Sequence, residues 1–266
     1  MKLSVITVNL NNKDGLVKTV DSVLVQSFKD FEYIIVDGGS KDGSVEFIQS
    51  IAAKHPGLIW TSERDTGVFN AMNKGIVKAK GDYLLFMNSG DYLVDKEVFA
   101  SVFANDHFSD ILLGAARVSE HGKIVWTAYP KSEYTLNDLY HGSLAHQAAF
   151  IKKDLFSCYG LYREDLKFMS DWAFFLDILV MHDGSVEPLD ILISDYNSEG
   201  LSSDMGNRVA IEKEKEKVFT SFGLDRVVVD YKERDDWMAT HKSMLWAWNK
   251  RLLRSMILFL YRLRHS

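Results

Sequence analysis

The sequence lacks most of what would staple, anchor or metallate a chain. One cysteine, Cys158, stands among 266 residues, so no internal disulfide can form. With a single cysteine no Cys-paired ligand set is available, and a structural zinc site is not expected. Gly38-Gly39 fails the G-x-G-x-x-G fingerprint, and a dinucleotide-dependent dehydrogenase drops out with it. The longest apolar run of the tail, Met256 to Tyr261, is far shorter than the roughly 20 residues a membrane-spanning helix needs. No repeat and no low-complexity linker interrupts the chain. It enters a strand pattern directly, without a leader resembling a secretory signal, so the expected location is the reducing cytoplasm.

What is present suits one sizeable globular domain: 47% of the residues are hydrophobic, and the length lies near the upper range for a single core. The net charge of −6 is unevenly spread. From His241 onward there are Lys242, Lys250, Arg251, Arg254, Arg262 and Arg264 and no acids, and removing those six positive charges leaves −12 on the remainder. Such an acidic body argues against nonspecific nucleic-acid binding, which needs a basic surface to neutralise phosphates. The tail interleaves its basic residues with Trp246, Trp248, Leu252, Leu253, Phe259 and Tyr261, a pattern suited to a helix lying in the headgroup zone at the inner face of the cell membrane. The plainer alternative is a helix packed on the folded body or on a homodimer partner. Glu212 to Lys217 alternates in sign, which reads as a solvated helical face.

The first hundred residues alternate strands with amphipathic helices, the pattern of an α/β sheet joined by helical crossovers. Leu3 to Asn9 predicts a strand; Leu16, Val20, Val23 and Leu24 recur at helical spacing; Phe31 to Val36 is the next strand. Val45, Ile48 and Ala52 repeat the helical pattern, Ile59 to Ser62 forms a third strand, and Val68, Met72, Ile76 and Ala79 mark a third helix. Later strands are expected at Ile111 to Leu113, Ile124 to Tyr129, Gln147 to Ile151 and Leu189 to Tyr196, with mixed directions. Ser170 is the expected N-cap of a helix carrying Phe175, Leu176, Leu179 and Val180, with Asp171 in its first turn.

Acids recur where these strands end. Tyr83 to Met87 runs into Asn88-Ser89-Gly90-Asp91, Tyr33 to Val36 into Asp37-Gly38-Gly39-Ser40, and Ile59 to Ser62 into Glu63-Arg64-Asp65-Thr66-Gly67. Open α/β sheets bind ligands beyond the carboxyl ends of their strands, so these turns point to one shared crevice, and Asp91 beside amide and hydroxyl groups suits a hard cation. Any one such turn is also ordinary loop chemistry. An acid at Asp171 is likewise, on spacing alone, a partner for the helix dipole.

Taken in order, Ser4-Val5-Ile6-Thr7-Val8-Asn9, Val36 to Gly43, Asp65 to Gly75 and Asn88-Ser89-Gly90-Asp91 resemble the family 2 glycosyltransferases. His146-Gln147, Ser170-Asp171 and Gly200-Leu201-Ser202 extend the resemblance over residues 1 to about 200. It implies a GT-A fold, a Rossmann-like mixed sheet flanked by helices, over 1–205, with a nucleotide-sugar half to about 95 and an acceptor half from 96. A C-terminal helical extension would follow over 206–266. It also implies roles. Thr7, Asn9, Asp37 and Asp65 would bind the base and ribose; Gly67, Asn88 and Ser89 would line the nucleotide site, with Asn73 and Lys74 facing it. His146 and Gln147 would meet the acceptor, Asp91 would ligate a divalent metal, Mn or Mg, on the diphosphate, and Asp171 would be the catalytic base.

Two departures qualify the match. Asn88 stands where many members carry the first acid of an Asp-any-Asp motif, leaving Asp91 the sole charged ligand of its turn, and Asn70 replaces a frequent Asp. The Gln-any-any-Arg-Trp motif of processive relatives is absent. The expectation is therefore a non-processive, metal-assisted, inverting transferase moving a sugar from a nucleotide diphosphate sugar, a uridine one by resemblance, to a glycan or lipid-linked glycan acceptor in surface polysaccharide assembly. A nucleotidyltransferase and a noncatalytic sugar-nucleotide binding subunit are the alternatives.

Overall fold

Seven consecutive buried residues, Leu3–Asn9, make β1 the axis of the sheet. A strand covered on both faces reads as a nearly continuous apolar run and not as an alternation. The computed structural model describes residues 1–120, 123–197 and 205–242, and beyond them 246, 255, 258, 260 and 261. After β1 come α1 (Lys13–Leu24), β2 (Phe31–Asp37), α2 (Ser44–Ala52), β3 (Ile59–Ser62), α3 (Val68–Lys78) and β4 (Tyr83–Phe86), the alternation that the periodicity predicts.

β1 pairs in parallel with β2 on one side and with β4 on the other, and β3 lies beyond β2. The chain winds outward through the first three strands and then returns by α3 to the free side of β1. That reversal of winding opens a crevice beyond the carboxyl ends of β1 and β4, where Asn9 and Asn88 emerge. α3 lies close against β1: a Cβ at Gly75 would stand 2.5 Å from Ile6 Cγ2, so a larger residue there would push the helix off the sheet.

The second half is mixed in direction, as expected. It comprises β5 (Tyr92–Leu93), α4 (Val98–Val102), β6 (Ile111–Glu120), β7 (Lys123–Ala128), α5 (Leu136–His141), β8 (Ala149–Lys152), α6 (Lys153–Cys158), α7 (Ser170–Leu176) and β9 (Val186–Asn197). β8 runs antiparallel between β4 and β6, β6 pairs in parallel with β9, and β5 closes on β9. β6 is longer than its apolar run suggests because its outer half pairs with β7. Gln147 belongs to a single 3₁₀ turn, His146–Ala148, and not to the strand that follows.

α7 also differs from expectation at its start. Ser170 is the first helical residue, Met169 occupies the cap position, and the buried Ser170 hydroxyl has no hydrogen-bond partner. The helix is held by its apolar side chains: Trp172 to Leu176 are all buried, Trp172 Nε1 donates to the Leu139 carbonyl at 2.8 Å, and Phe174 stacks on Phe156 at 4.4 Å between centroids.

The chain divides into two units, Met1–Lys215 and Glu216–Ser266. The division falls inside α8 (Arg208–Ser221), about ten residues beyond the boundary read from the sequence. In the second unit, the end of α8 meets α9 (Asp225–Thr240) through Lys232 and Glu216 at 2.8 Å. Among the described residues no helix is long and apolar enough to cross a membrane. The interfacial reading of the tail falls mostly outside the described residues, and the Gly200-Leu201-Ser202 match lies there entirely.

Candidate active site

The turn that follows β4 is built by α1. Gly90 takes a left-handed φ of 112°, and the Asp91 amide closes the turn onto the Asn88 carbonyl at 3.0 Å. Thr19, on the buried face of α1, accepts from the Gly90 amide at 3.0 Å and donates to the Asp91 carbonyl at 2.7 Å. Asn12 caps α1 by accepting from Gly15 and donates to the Ser89 carbonyl at 2.8 Å. The result is a fixed, nearly buried carboxylate. Burial pushes Asp91 from an ordinary 3.8 up to about 6, although the nearby His146 and hydrogen bonds from Gln147 and Asn88 oppose the rise.

His146 joins the two halves of the site. Its Nδ1 lies 2.9 Å from Asp171 Oδ2 and its Nε2 lies 3.3 Å from Asn88 Nδ2. Burial alone would lower its pKa; the hydrogen bond to Asp171 and the charges of Asp171 and Asp91 outweigh that and hold it above its ordinary value. The other oxygen of Asp171 accepts from the Trp172 amide at 2.9 Å. Asp171 is therefore held at both oxygens, one by its own helix and one by the imidazole.

On the opposite wall, Asp65 accepts from the Gly67 amide at 3.1 Å, and burial raises its carboxyl. Gly38 leaves room for this carboxylate, since a Cβ there would stand 2.5 Å from Asp65 Oδ2 and displace it. The open cavity measures about 690 Å³, and its walls include Asn9, Asp65, Gly67, Asn88, Ser89, Asp91, His146, Gln147 and Asp171. Nine of the expected site residues are thus brought together.

Four are not on the wall. Thr7 is fully buried and shares a 2.9 Å hydrogen bond with the Tyr33 hydroxyl. Asp37 is also fully buried, and its oxygens accept from Asn9, the Ser40 and Ser62 hydroxyls and the amides of Gly39 and Ser40. Burial would raise its pKa, but those bonds prevail and hold it below the ordinary value. Asp37 therefore stands behind Asn9 and orients it. Lys74 pairs with Glu63 at 2.8 Å. Asn73, expected to face the nucleotide, instead bridges the Tyr162 backbone at both N and O and donates to Glu164.

Asn73→Ala should accordingly destabilise the chain by roughly 1–3 kcal/mol, the cost of leaving buried backbone groups unpaired, with little change in ligand affinity. Denaturant melts and a binding titration check this; weaker nucleotide binding at unchanged stability would place Asn73 in the site after all.

Among the wall residues that the sequence reading does not assign to the site are Lys167, Phe168, Tyr196 and Asn12, and the support Thr19 is likewise unassigned. Asn12 just ahead of a helical pattern carries an N-cap signal, and Thr19 is a polar residue amid the apolar spacing of Leu16, Val20 and Val23. Lys167, Phe168 and Tyr196 carry no local signal.

The donor set fits a hard cation of low protein coordination. Asn88 Oδ1 is buried without a hydrogen-bond partner, and both it and the Asp91 carboxylate belong to the cavity turn. Among the described residues no three His, Cys, Asp or Glu side chains gather into a metal cage. Ions such as Mg²⁺ are commonly held by one or two carboxylates together with substrate phosphates and water.

Comparison with known proteins agrees with this geometry. The model of the family described as glycosyl transferase family 2 matches residues 4–166. A PGL/p-HBAD biosynthesis glycosyltransferase of Mycobacterium bovis is 29% identical over 202 residues, covering 74% of this chain and 77% of its own. An uncharacterized glycosyltransferase of Mycobacterium tuberculosis is 31% identical over 214 residues, covering 76% and 77%. Among solved structures, the mannosyltransferase PcManGT of Pyrobaculum calidifontis, in complex with GDP-Man and Mn²⁺, aligns with a TM-score of 0.63 at 14% identity over all of this chain and 81% of its own. S. aureus TarS 1–349 in complex with UDP-GlcNAc aligns with a TM-score of 0.59 at 23% identity, over 75% of this chain. The match spans about three-fifths of that TarS fragment's length, 59%. These likenesses give the fold: a mixed α/β sheet of the GT-A type flanked by helices.

Proposed function

The chain belongs to glycosyl transferase family 2, a transferase family, and from that premise we propose that it moves one sugar from a nucleotide diphosphate sugar to an acceptor hydroxyl with inversion. The observation that carries the reading is the placement of Asp91 and Asp171 on the walls of one cavity with His146 between them. One carboxylate is suited to the departing diphosphate and the other to the incoming hydroxyl.

In this mechanism Asn9 and Asp65 hold the nucleoside. The buried Oδ1 of Asn9 has no hydrogen-bond partner and can accept from the base, while Asp37 keeps the amide oriented. Asp91 and Asn88 would hold the divalent cation, which, when bound, neutralises charge growing on the leaving diphosphate. Asp171, oriented by His146 and the Trp172 amide, takes the proton of the acceptor hydroxyl as that oxygen attacks the anomeric carbon. The bond to the diphosphate breaks on the opposite face, so no covalent sugar–enzyme intermediate forms. The complexes recorded for PcManGT and TarS, with GDP-Man and Mn²⁺ and with UDP-GlcNAc, support a nucleotide-sugar donor here.

A thermal-shift panel of nucleotide sugars with Mn²⁺ or Mg²⁺ tests the reading, because a ligand that binds only the folded chain raises its apparent stability. A metal-dependent rise is expected with a nucleotide diphosphate sugar, and free nucleoside diphosphate should appear once an acceptor is supplied. No response across the panel would overturn the proposal.

A further inference from the structure

Three successive backbone amides converge on one carboxylate. Lys167, Phe168 and Met169 donate to Glu214 at 2.7, 2.9 and 3.1 Å, using both of its oxygens. Glu214 lies in α8, within the charge-alternating run that reads in the sequence as a solvated face. That reading fails at this residue, which is half-buried, and at the next: the Lys215 ammonium stands 5.6 Å from the centroid of the Trp172 ring. Two adjacent residues of α8 therefore touch the chain on both sides of Asp171.

The placement has a chemical consequence. Lys167 and Phe168 form part of the cavity wall, and Met169 is the cap position of α7, which carries no side-chain cap of its own. Glu214 itself is not on the wall. An ionised carboxylate accepting several amides at a helix entrance makes charge-assisted bonds, stronger than neutral ones, and complements the positive end of the helix. It fixes the direction in which the first turn, and with it Asp171, faces the cavity.

Building on the reading of Asp171 as the base, we infer that Glu214 is a positioning residue of the transfer reaction. Its carboxylate holds the Lys167–Met169 segment so that the base and the adjoining wall are set before the acceptor arrives. The first turns of α8, well beyond the matched family region, are thereby part of the working site and not an appendage to it. Misplacement of a reacting group by about 1 Å can cost about 10²-fold in rate, which sets the scale of the effect.

The test uses the full chain with Glu214→Gln and Glu214→Asp. Glutamine keeps the shape but turns an NH₂ donor toward amides that are themselves donors; aspartate keeps the charge one methylene short. Glu214→Gln should lower kcat/KM for the acceptor about 10²-fold while leaving the Kd of the nucleotide sugar within about twofold, and Glu214→Asp should recover part of the loss. Hydrogen exchange at Lys167, Phe168 and Met169 should quicken in parallel. If Glu214→Gln does not fold, Glu214→Asp carries the same comparison. Unimpaired transfer despite quickened exchange would overturn the inference alone, as would donor affinity falling as far as turnover. A wild-type chain that releases no nucleoside diphosphate would overturn the transferase reading and this inference together.

Discussion

Asp171→Asn should leave a folded protein that binds nucleotide sugar and does not transfer it. Asparagine has the shape of aspartate, and its carbonyl oxygen can still accept from either His146 Nδ1 or the Trp172 amide, the two groups that now hold the carboxylate at 2.9 Å each. The surrounding helix gives no reason for collapse, since its stability resides in the buried run from Trp172 to Leu176. What disappears is the capacity to take a proton from the acceptor, and general-base catalysis accounts for roughly 10²–10⁴-fold in rate. Single-turnover transfer, measured beside equilibrium binding of the donor, separates the two effects. Turnover near that of the wild type would remove Asp171 from the mechanism.

Asp91→Asn should produce the opposite balance: a more stable ligand-free chain that has lost metal-dependent donor binding. Burial raises the Asp91 carboxyl from 3.8 to about 6. A carboxyl that binds its proton more tightly in the folded chain than in the unfolded one favours folding under acid conditions. That contribution is fully present below the unfolded value and is lost as pH rises through about 6, amounting to about 3 kcal/mol for a change of this size. Asparagine escapes the cost of ionising a buried group, so the variant should gain roughly 1–3 kcal/mol in denaturant melts at pH 8 and little at pH 4. If Asp91 holds the cation as proposed, metal affinity should move the other way, weakening as pH falls through about 6 because the proton competes for the same carboxylate. Melts and Mn²⁺ titrations at both pH values test the pair of statements. A variant that is destabilised at pH 8, or that keeps full metal-dependent binding, would contradict them.

Much of the site was legible because its parts sit at the ends of strands. β1 runs over the residues that its apolar pattern marks, and Asn9, Asp65 and the Asn88–Asp91 turn follow their strands as turn chemistry requires. The supports were harder to see. Asn73 shares a helix face with Phe69 and Ile76, so its burial was foreshadowed, yet its partner Tyr162 lies 89 positions away. Thr19 reaches Asp91 across 72 positions, and Glu214 reaches Phe168 across 46. Helical periodicity tells which face of an element is covered but not what covers it.

Asp37 and Thr7 show the same limit from the other side. Both stand in motif segments at the end of the first two strands, and the pattern does not distinguish a side chain that meets a ligand from one that orients its neighbour. Asp37 accepts hydrogen bonds from five donors, so its carboxylate is engaged with the protein. That saturation arises only when the ends of β1, β2 and β3 come side by side.

By itself the sequence determined the alternation of strands and helices through β4 and the presence of acids where those strands end, because side-chain periodicity and turn chemistry act over a few residues. Only the tertiary structure decided that Asp91, His146 and Asp171 share one cavity, and that Asp37, Asn73 and Glu214 are engaged by hydrogen bonds within the protein. Such meetings depend on strand pairing and helix docking between distant segments, where packing and hydrogen-bond geometry, rather than local spacing, select the partner.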